Sequence, residues 1–323
     1  MSYLSCAGES YRVADTVDKY TAYRFDNALS LGFAADAALT EWEAAEASAE
    51  VNQSTFYAAA AGSDESVLLY CDEDLKAEAT ADHAKVKELG DHRYAIERTA
   101  SDTEALGGVS LTLKAKTSGL LYVSAEKTEG AFNTMSIWTT NGEVGNRPVF
   151  STVSDSICRA VYNAKKGEEL SVCVSPVADT PCTLRIRVFQ IDPAVFARQH
   201  EAIAKGGKLV LTDFSDTHFE GTVDVTGNDR VLCVTVPFDP GWTVTLDGKR
   251  LSDNDYSLID GALYGIPVEE GTHTVSFDYA LPGLPAGIVV SLCAVVVSVG
   301  AFLVLRKKRS LSGGAEPAPG DIG

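Results

Sequence analysis

The sequence predicts a mainly β protein. Two consecutive β-sandwich-like extracytoplasmic domains are expected, with a small α-rich N-terminal part, a connector helix between the domains and one C-terminal transmembrane helix. Three observations carry this. From about Arg93, apolar and polar residues alternate in short runs divided by turn formers, the period of half-buried strands. The stretch IDPAVFARQHEAIAKGGK, Ile191 to Lys208, has helix punctuation at both ends. Ala286 to Leu305 holds twenty residues without a charge, which as a helix covers roughly 30 Å, the hydrocarbon thickness of a bilayer.

Residues 1–91 read as mixed and partly helical. ADAALTEWEAAEASAEVNQSTFYAAAAG, from Ala35, is rich in Ala and Glu, which lose little on entering a helix. Two short helices are expected, meeting near Val51 to Ser54, with Asn52 or Ser54 capping the second and Gly62 ending it. Asn52-Gln53-Ser54 also fits a glycosylation acceptor, but is read as a cap.

The first sandwich is assigned to 92–192. In VSLTLKAK, Val109, Leu111, Leu113 and Ala115 share one face against Ser110, Thr112, Lys114 and Lys116. LLYVSAE, MSIWTT, ELSVCV and TLRIRVF continue the series, separated by turns at Thr117 to Gly119, Asn141 to Gly145, Lys165 to Gly167 and Ala178 to Pro181. Short strands at such spacing imply a sandwich. The connector helix, 193–207, takes Asp192 as N-cap, Pro193 at its first position and Gly206-Gly207 past its end.

The second sandwich is assigned to 208–280. HFEGTVDV points Phe219, Gly221, Val223 and Val225 inward, and RVLCVTVP is apolar enough for a central strand ended by Pro237. Trp242, Val244 and Leu246 share a face before Asp247-Gly248, a two-residue hairpin turn. Asp260-Gly261 and Glu270-Gly271 make further turns, and His273, Val275, Phe277 and Tyr279 share a face of the last strand. The span, 284–305, follows Pro282 and Pro285. Residues 306–323 are a basic stop, Arg306 to Arg309, and a disordered cytoplasmic tail, since Lys and Arg beside a span stay inside. The bulk of the chain is therefore placed outside a bacterial cell membrane, yet MSYLSCAGESYRVADTVDKY holds no export signal. The chain is expected to be a fragment of a longer membrane protein.

The balance of 27 basic against 45 acidic residues, a net charge of -18, excludes nucleic acid as a partner. Cys6, Cys71, Cys158, Cys173, Cys182, Cys233 and Cys293 lack metal-ligand spacing. Cys173 and Cys182 have opposite parity relative to the apolar faces of their strands, which argues against a disulfide between them. His83, His92, His200, His218 and His273 form no metal motif, and His200 is assigned no role. The acidic run Asp72-Glu73-Asp74 reads as a solvated loop, and Asp216 with His218 as a turn cap. Trp242 reads as core; Trp138, beside the loop at Asn141 to Asn146, is the better candidate for exposure but is also assigned to packing. No hydrolase, phosphate-loop or dinucleotide motif is present. Catalytic, cofactor-binding and metal residues are all read as none, and no cofactor is implied.

PFDPGWTVTLDGKRL, then DGALYGIPVEEGTHTVSFDY, then LPGLPAGIVVSL resembles the C-terminal region of the YfhO family of bacterial membrane proteins. The matching residues are Phe238, Asp239, Gly241, Trp242, Asp247 and Gly248, then Gly271, His273 and Tyr279, then Pro282, Gly287 and Ser291. FSDTHFEGTV and YRFDNALSLGFAAD are similar to further family segments. The resemblance implies a C-type membrane glycosyltransferase, moving sugar from a lipid-linked donor to cell-envelope polymers such as lipoteichoic acid. It places the catalytic acid in an upstream membrane bundle that this sequence lacks. Two alternatives compete. One is a membrane-anchored carbohydrate-binding or adhesion protein; the sortase version is opposed by the missing Thr-Gly and by the residues after the basic cluster. The other is a subunit pairing with a separately encoded bundle.

Overall fold

The computed structural model describes residues 11–18, 20–25, 28–45, 48–71, 75–80, 83–99, 107–140, 149–178 and 180–312. A separate hairpin, β1 (Tyr11–Val17) and β2 (Tyr20–Phe25), comes first. Then follow β3 (Gly32–Asp36), a 3-10 turn (Ala37–Glu41) and helix α1 (Ala49–Ala60). The next strands are β4 (Leu68–Tyr70), β5 (Lys76–Ala79), β6 (Ala84–Gly90), β7 (Arg93–Arg98) and β8 (Val109–Lys114). After them come β9 (Gly119–Glu129), β10 (Thr134–Thr140), β11 (Phe150–Thr152), β12 (Ser156–Ala164), β13 (Glu169–Val177) and β14 (Cys182–Ile191). Helix α2 (Pro193–Gly206) leads to β15 (Leu209–Phe214), β16 (His218–Val225), β17 (Arg230–Pro237) and β18 (Trp242–Leu246). The chain ends with β19 (Lys249–Arg250), β20 (Ser257–Ile259), β21 (Leu263–Val268), β22 (Gly271–Tyr279) and helix α3 (Leu284–Ser312).

The first sandwich faces the sheet β11-β10-β13-β8-β5 against β12-β9-β14-β7-β6, with β4 paired to β14. The expected alternation holds: Val109, Leu111, Leu113 and Ala115 are buried, and meet Leu121, Val123, Leu184, Ile186 and Val188 in one core. Cys173 and Cys182 are both free. Cys173 lies off that core, its Sγ 3.2 Å from Thr80 Oγ1, on the face opposite Val172 and Val174.

The second sandwich pairs β15-β16-β22-β18-β19 with β20-β21-β17-β3. Strand pairing regroups the expected N-terminal segment. β3 lies beside β17, Ala34 opposite Leu232, while β4 to β6 pair into the first sandwich. The strands of the described residues 32–90 thus serve both sandwiches, because strand partners are set by matching apolar faces and not by adjacency in sequence.

The expected pair of short helices is also corrected. Residues 49–60 form one continuous helix with Ser48 at its N-cap position, and the Ala-Glu stretch before it is β3 and the 3-10 turn. Asn52 sits inside α1, its amide bonded both ways to the Ala45 backbone at 3.1 and 3.2 Å. Ser54 is buried and bonds the Val67 N–H at 3.2 Å. Both side chains find backbone partners outside the helix, so neither has to interrupt it. Gly62 does follow the end, with φ 64°.

The connector begins as expected, but Gly206, placed past its end, is its last helical residue. Asp192 accepts from the Ala194 and Val195 N–H groups at 2.9 and 3.1 Å, with Pro193 first in the helix. Its glycines do more than stop it. A Cβ on Gly206 would lie 2.2 Å from the Ala34 carbonyl oxygen, and one on Gly207 2.3 Å from that of Asp224. Helix α2 therefore lies on the second sandwich, with Ile203 among Phe33, Ala35, Leu39, Ala60, Val231 and Cys233. β17 is covered on both faces, which is why Val231 to Val234 are all buried.

Asp247-Gly248 has φ of 51° and 77°, and Asp260-Gly261 51° and 65°, the positive pairs such turns require. Helix α3 runs past Leu305 to Ser312, so the first residues of the expected disordered tail are helical. Nothing breaks a helix between Arg306 and the Gly313-Gly314 pair. The acidic run Asp72 to Asp74, the loop at 141–146, Cys6 and residues 313–323 lie outside the described residues.

Phe33 is 2% exposed, in the layer that ties β3 to α2. Phe33→Ala should lower stability by about 3–5 kcal/mol, read as a shift in the urea midpoint of detergent-solubilised protein followed by tryptophan fluorescence.

Candidate functional site

Of the residues that carried the family resemblance, Phe238, Asp239, Gly241, Trp242, Tyr279 and Pro282 gather at the end of the second sandwich nearest α3, while Asp247, Gly248, Gly271 and His273 lie at its far end. β22 ends at Tyr279 and α3 begins at Leu284. Four residues, 280–283, join them, with Gly283 at φ 81°. Beside this junction the segment Asp239-Pro240-Gly241-Trp242 folds on itself. Asp239 Oδ1 accepts from the Gly241 N–H at 2.7 Å, and its carbonyl from the Trp242 N–H at 3.0 Å. The Ala280 N–H donates to the Gly241 carbonyl at 2.9 Å. A Cβ at Gly241 would stand 2.5 Å from the Tyr279 ring and 2.7 Å from the Ala280 oxygen, so no other residue fits there without a shift. The Tyr279 pKa is raised, first by desolvation and then by the charge and hydrogen bond of the Asp239 carboxylate.

Trp242 packs as expected. Its ring meets Tyr279 at 5.0 Å, Phe219 at 5.8 Å and Phe277 at 6.0 Å, and Phe219 stacks on Phe277 at 4.6 Å. Trp138 is half-buried on β10, opposite Cys173.

Asp216 and His218, read as a turn cap, lie in a turn closed by the Ser215 N–H on the His218 carbonyl at 2.7 Å, and the His218 ring finds its partners elsewhere. His218 Nδ1 lies 2.7 Å from Asp278 Oδ1 and its Nε2 3.8 Å from Asp213 Oδ2. Asp278 is directly opposite on β22, a neighbour made by strand register and invisible in sequence spacing. At the far end of the same sheet, His273 Nδ1 is 2.7 Å from Asp247 Oδ2, and its Nε2 3.0 Å from the Glu269 carbonyl oxygen. Among the described residues no group of three or more His, Cys, Asp and Glu side chains is placed to hold a metal ion. His200 accepts or shares a proton with the Tyr57 hydroxyl at 2.9 Å and stacks on Phe196, while burial pushes the Tyr57 pKa to about 12.

Two further features had no sequence signal. A groove of about 370 Å³ is lined by Trp42, Asn52, Gln53, Phe56 and Tyr57. Trp42 meets Phe56 edge-on at 5.1 Å, and its indole N–H donates to Thr55 Oγ1 at 3.1 Å; Gln53 is exposed. Glu50, in the first turn of α1, is 5% exposed, and neither of its carboxylate oxygens has a hydrogen-bond partner among the described residues. Spacing along the chain reveals neither, because both depend on how α1 is laid against its neighbours.

A folded β module running directly into an apolar helix of membrane-crossing length, Ala286–Lys307, is the build of a membrane-anchored protein. The chain belongs to the family described as bacterial membrane protein YfhO, whose profile matches residues 4–291. Among curated proteins none matches it. Several solved β structures are distantly similar. A family 35 carbohydrate binding module from Clostridium thermocellum is 14% identical, covers 38% of this chain and 96% of its own, and superposes with a TM-score of 0.25. CsCBM6-3 from Clostridium stercorarium, solved with cellobiose, is 14% identical over 38% of this chain and 92% of its own, with a TM-score of 0.23. The tandem CBM22-1-CBM22-2 domain of Paenibacillus barcinonensis Xyn10C is 13% identical over 66% of this chain and 85% of its own, with a TM-score of 0.24. At these scores the superpositions carry no argument about ligand or activity.

The His273 and Asp247 pair makes this sandwich respond to pH. The bond to Asp247 raises the His273 pKa against the opposing effect of desolvation. Its contribution to stability is complete below the ordinary histidine value of about 6.5 and is lost as pH rises through the raised value. Asp247 is lowered, first by His273 and then by the Thr274 N–H, and its contribution is lost as pH falls through that lowered value. Asp247→Asn should bring the His273 titration back down toward its ordinary range, measured by NMR, and flatten the loss of stability above neutral pH.

Proposed function

We propose that this chain is the extracytoplasmic part of a YfhO-like membrane glycosyltransferase that modifies cell-envelope polymers, such as lipoteichoic acid, from a lipid-linked sugar donor. One observation carries the reading beyond family membership: the second sandwich passes into α3 through only four residues, so it must work against a membrane surface. Arg306 to Arg309 at the far end of the apolar stretch favour a cytoplasmic C-terminus and an outward sandwich. Catalysis in this reading belongs to a bundle of membrane spans. In this reading the sandwiches brace that bundle and hold the acceptor polymer near it. The Asp239 and Gly241 contacts hold the end of the last strand where the link to the span begins.

A second reading, a membrane-anchored carbohydrate-binding protein without transfer activity, is favoured by the groove of Trp42 and Phe56 beside the exposed amide of Gln53. Aromatic faces with a nearby amide suit sugar rings and their hydroxyls.

Deleting the gene in its native bacterium should remove one sugar substituent from purified envelope polymers, read by NMR of the anomeric protons. The wild-type gene should restore it, and Gly241→Val should not. Unchanged polymer glycosylation in the deletion strain would sink the transferase reading. Loss of polymer retention at the membrane would then support the second one.

A further inference from the structure

We propose that the rim of the second sandwich nearest α3 is a membrane-docking foot, with Phe214 and Phe238 seated in the lipid headgroup layer. The inference needs only that α3 crosses the bilayer, and is independent of glycosyl transfer. Among the described side chains three phenylalanines are exposed. Phe302 faces outward from α3, where lipid would surround it. The other two, Phe214 at 67% and Phe238 at 39%, lie on separate segments and yet share this one rim.

Strand register places them. Phe214 pairs with Phe219, and Phe219 with Phe277, two residues before the end of β22. The turn that follows Phe214 is bonded to that end, the Tyr279 N–H donating to the Thr217 carbonyl at 2.8 Å. Phe238 follows β17 and precedes the Asp239 fold that clasps Ala280; its N–H donates to Ala262 at 2.7 Å and its ring meets Tyr264 at 5.7 Å. Two strand spacings separate Phe214 from β22, about 10 Å. Four linking residues reach at most about 14 Å. The headgroup layer on one side of a bilayer is about 5–8 Å thick, so a rim tethered this closely lies in that layer or within roughly 10 Å of it. Leu281, 56% exposed within the link, adds apolar surface at the same level.

The chemistry of the rim selects the partner. Aromatic side chains favour the boundary between headgroups and hydrocarbon. Asp213, Asp216, Asp239 and Asp278 share the rim, with His218 between Asp213 and Asp278. Those carboxylates oppose attraction to anionic lipid, so contact is apolar and insensitive to salt. An exposed phenylalanine pair on a soluble face would otherwise remain in water at a cost in apolar hydration.

The test uses the full chain reconstituted in phosphatidylcholine vesicles with bromine near the headgroup end of the acyl chains. Phe214→Trp and, separately, Phe238→Trp exchange one exposed aromatic for another. Lys249→Trp, on the exposed distal hairpin, is the control. After subtraction of the native tryptophans, the two rim positions should emit at shorter wavelength and be quenched several-fold more than position 249, at low and high salt alike. Rim positions quenched no more than position 249, with water-like emission, would overturn the proposal. Quenching seen only at low salt with anionic lipid added would overturn its apolar basis.

Discussion

Four residues separate the last strand of the second sandwich from the helix that follows it, and most of the local structure answers to that constraint. A strand cannot feed a rigid helix so abruptly unless its end is held on every side. Here the Tyr279 N–H is tied to Thr217 and the Ala280 N–H to Gly241, and the Asp239 charge raises the Tyr279 pKa after desolvation. Gly241 is the residue that lets the two backbones approach, and Trp242 fills the space behind Tyr279 with aromatic surface. The aspartate, glycine and tryptophan of this segment are thus a mechanical unit.

Behind the joint, the second sandwich is stiffened by a third layer. β3 completes the sheet that α1, the 3-10 turn and α2 cover, and Phe33, Leu39, Ala60 and Ile203 fill the space between them. Burying a large aromatic of this kind is worth a few kcal/mol, and residues from both ends of the soluble chain share it. The first sandwich is consequently an insertion between β3 and β15 in chain order, its own core formed by strands from β5 to β14. The unit next to the membrane is the reinforced one, and the inserted sandwich is carried by it.

Much of this was readable from local pattern. Alternation at Val109 to Ala115, the Asp192-Pro193 start and Gly206-Gly207 end of α2, and the aspartate-glycine turns each depend on a residue and its immediate neighbours. So does the uncharged run from Ala286 to Leu305, since bilayer thickness sets a length that one segment meets by itself. The order of motifs around Asp239 and Trp242 was enough to place the family.

What sequence alone determined, then, is the kind of each strongly patterned element, the membrane helix and the lineage. Tertiary structure decided the partners. The Ala-rich stretch at Ala35 has good helix formers, yet Gly32 to Asp36 became a strand, because an open edge beside β17 and a waiting apolar layer outweigh a propensity of a few tenths of a kcal/mol per residue. His218 met Asp278 and not Asp216, and two phenylalanines far apart in sequence came to one rim, because strand register joins positions that chain spacing keeps separate.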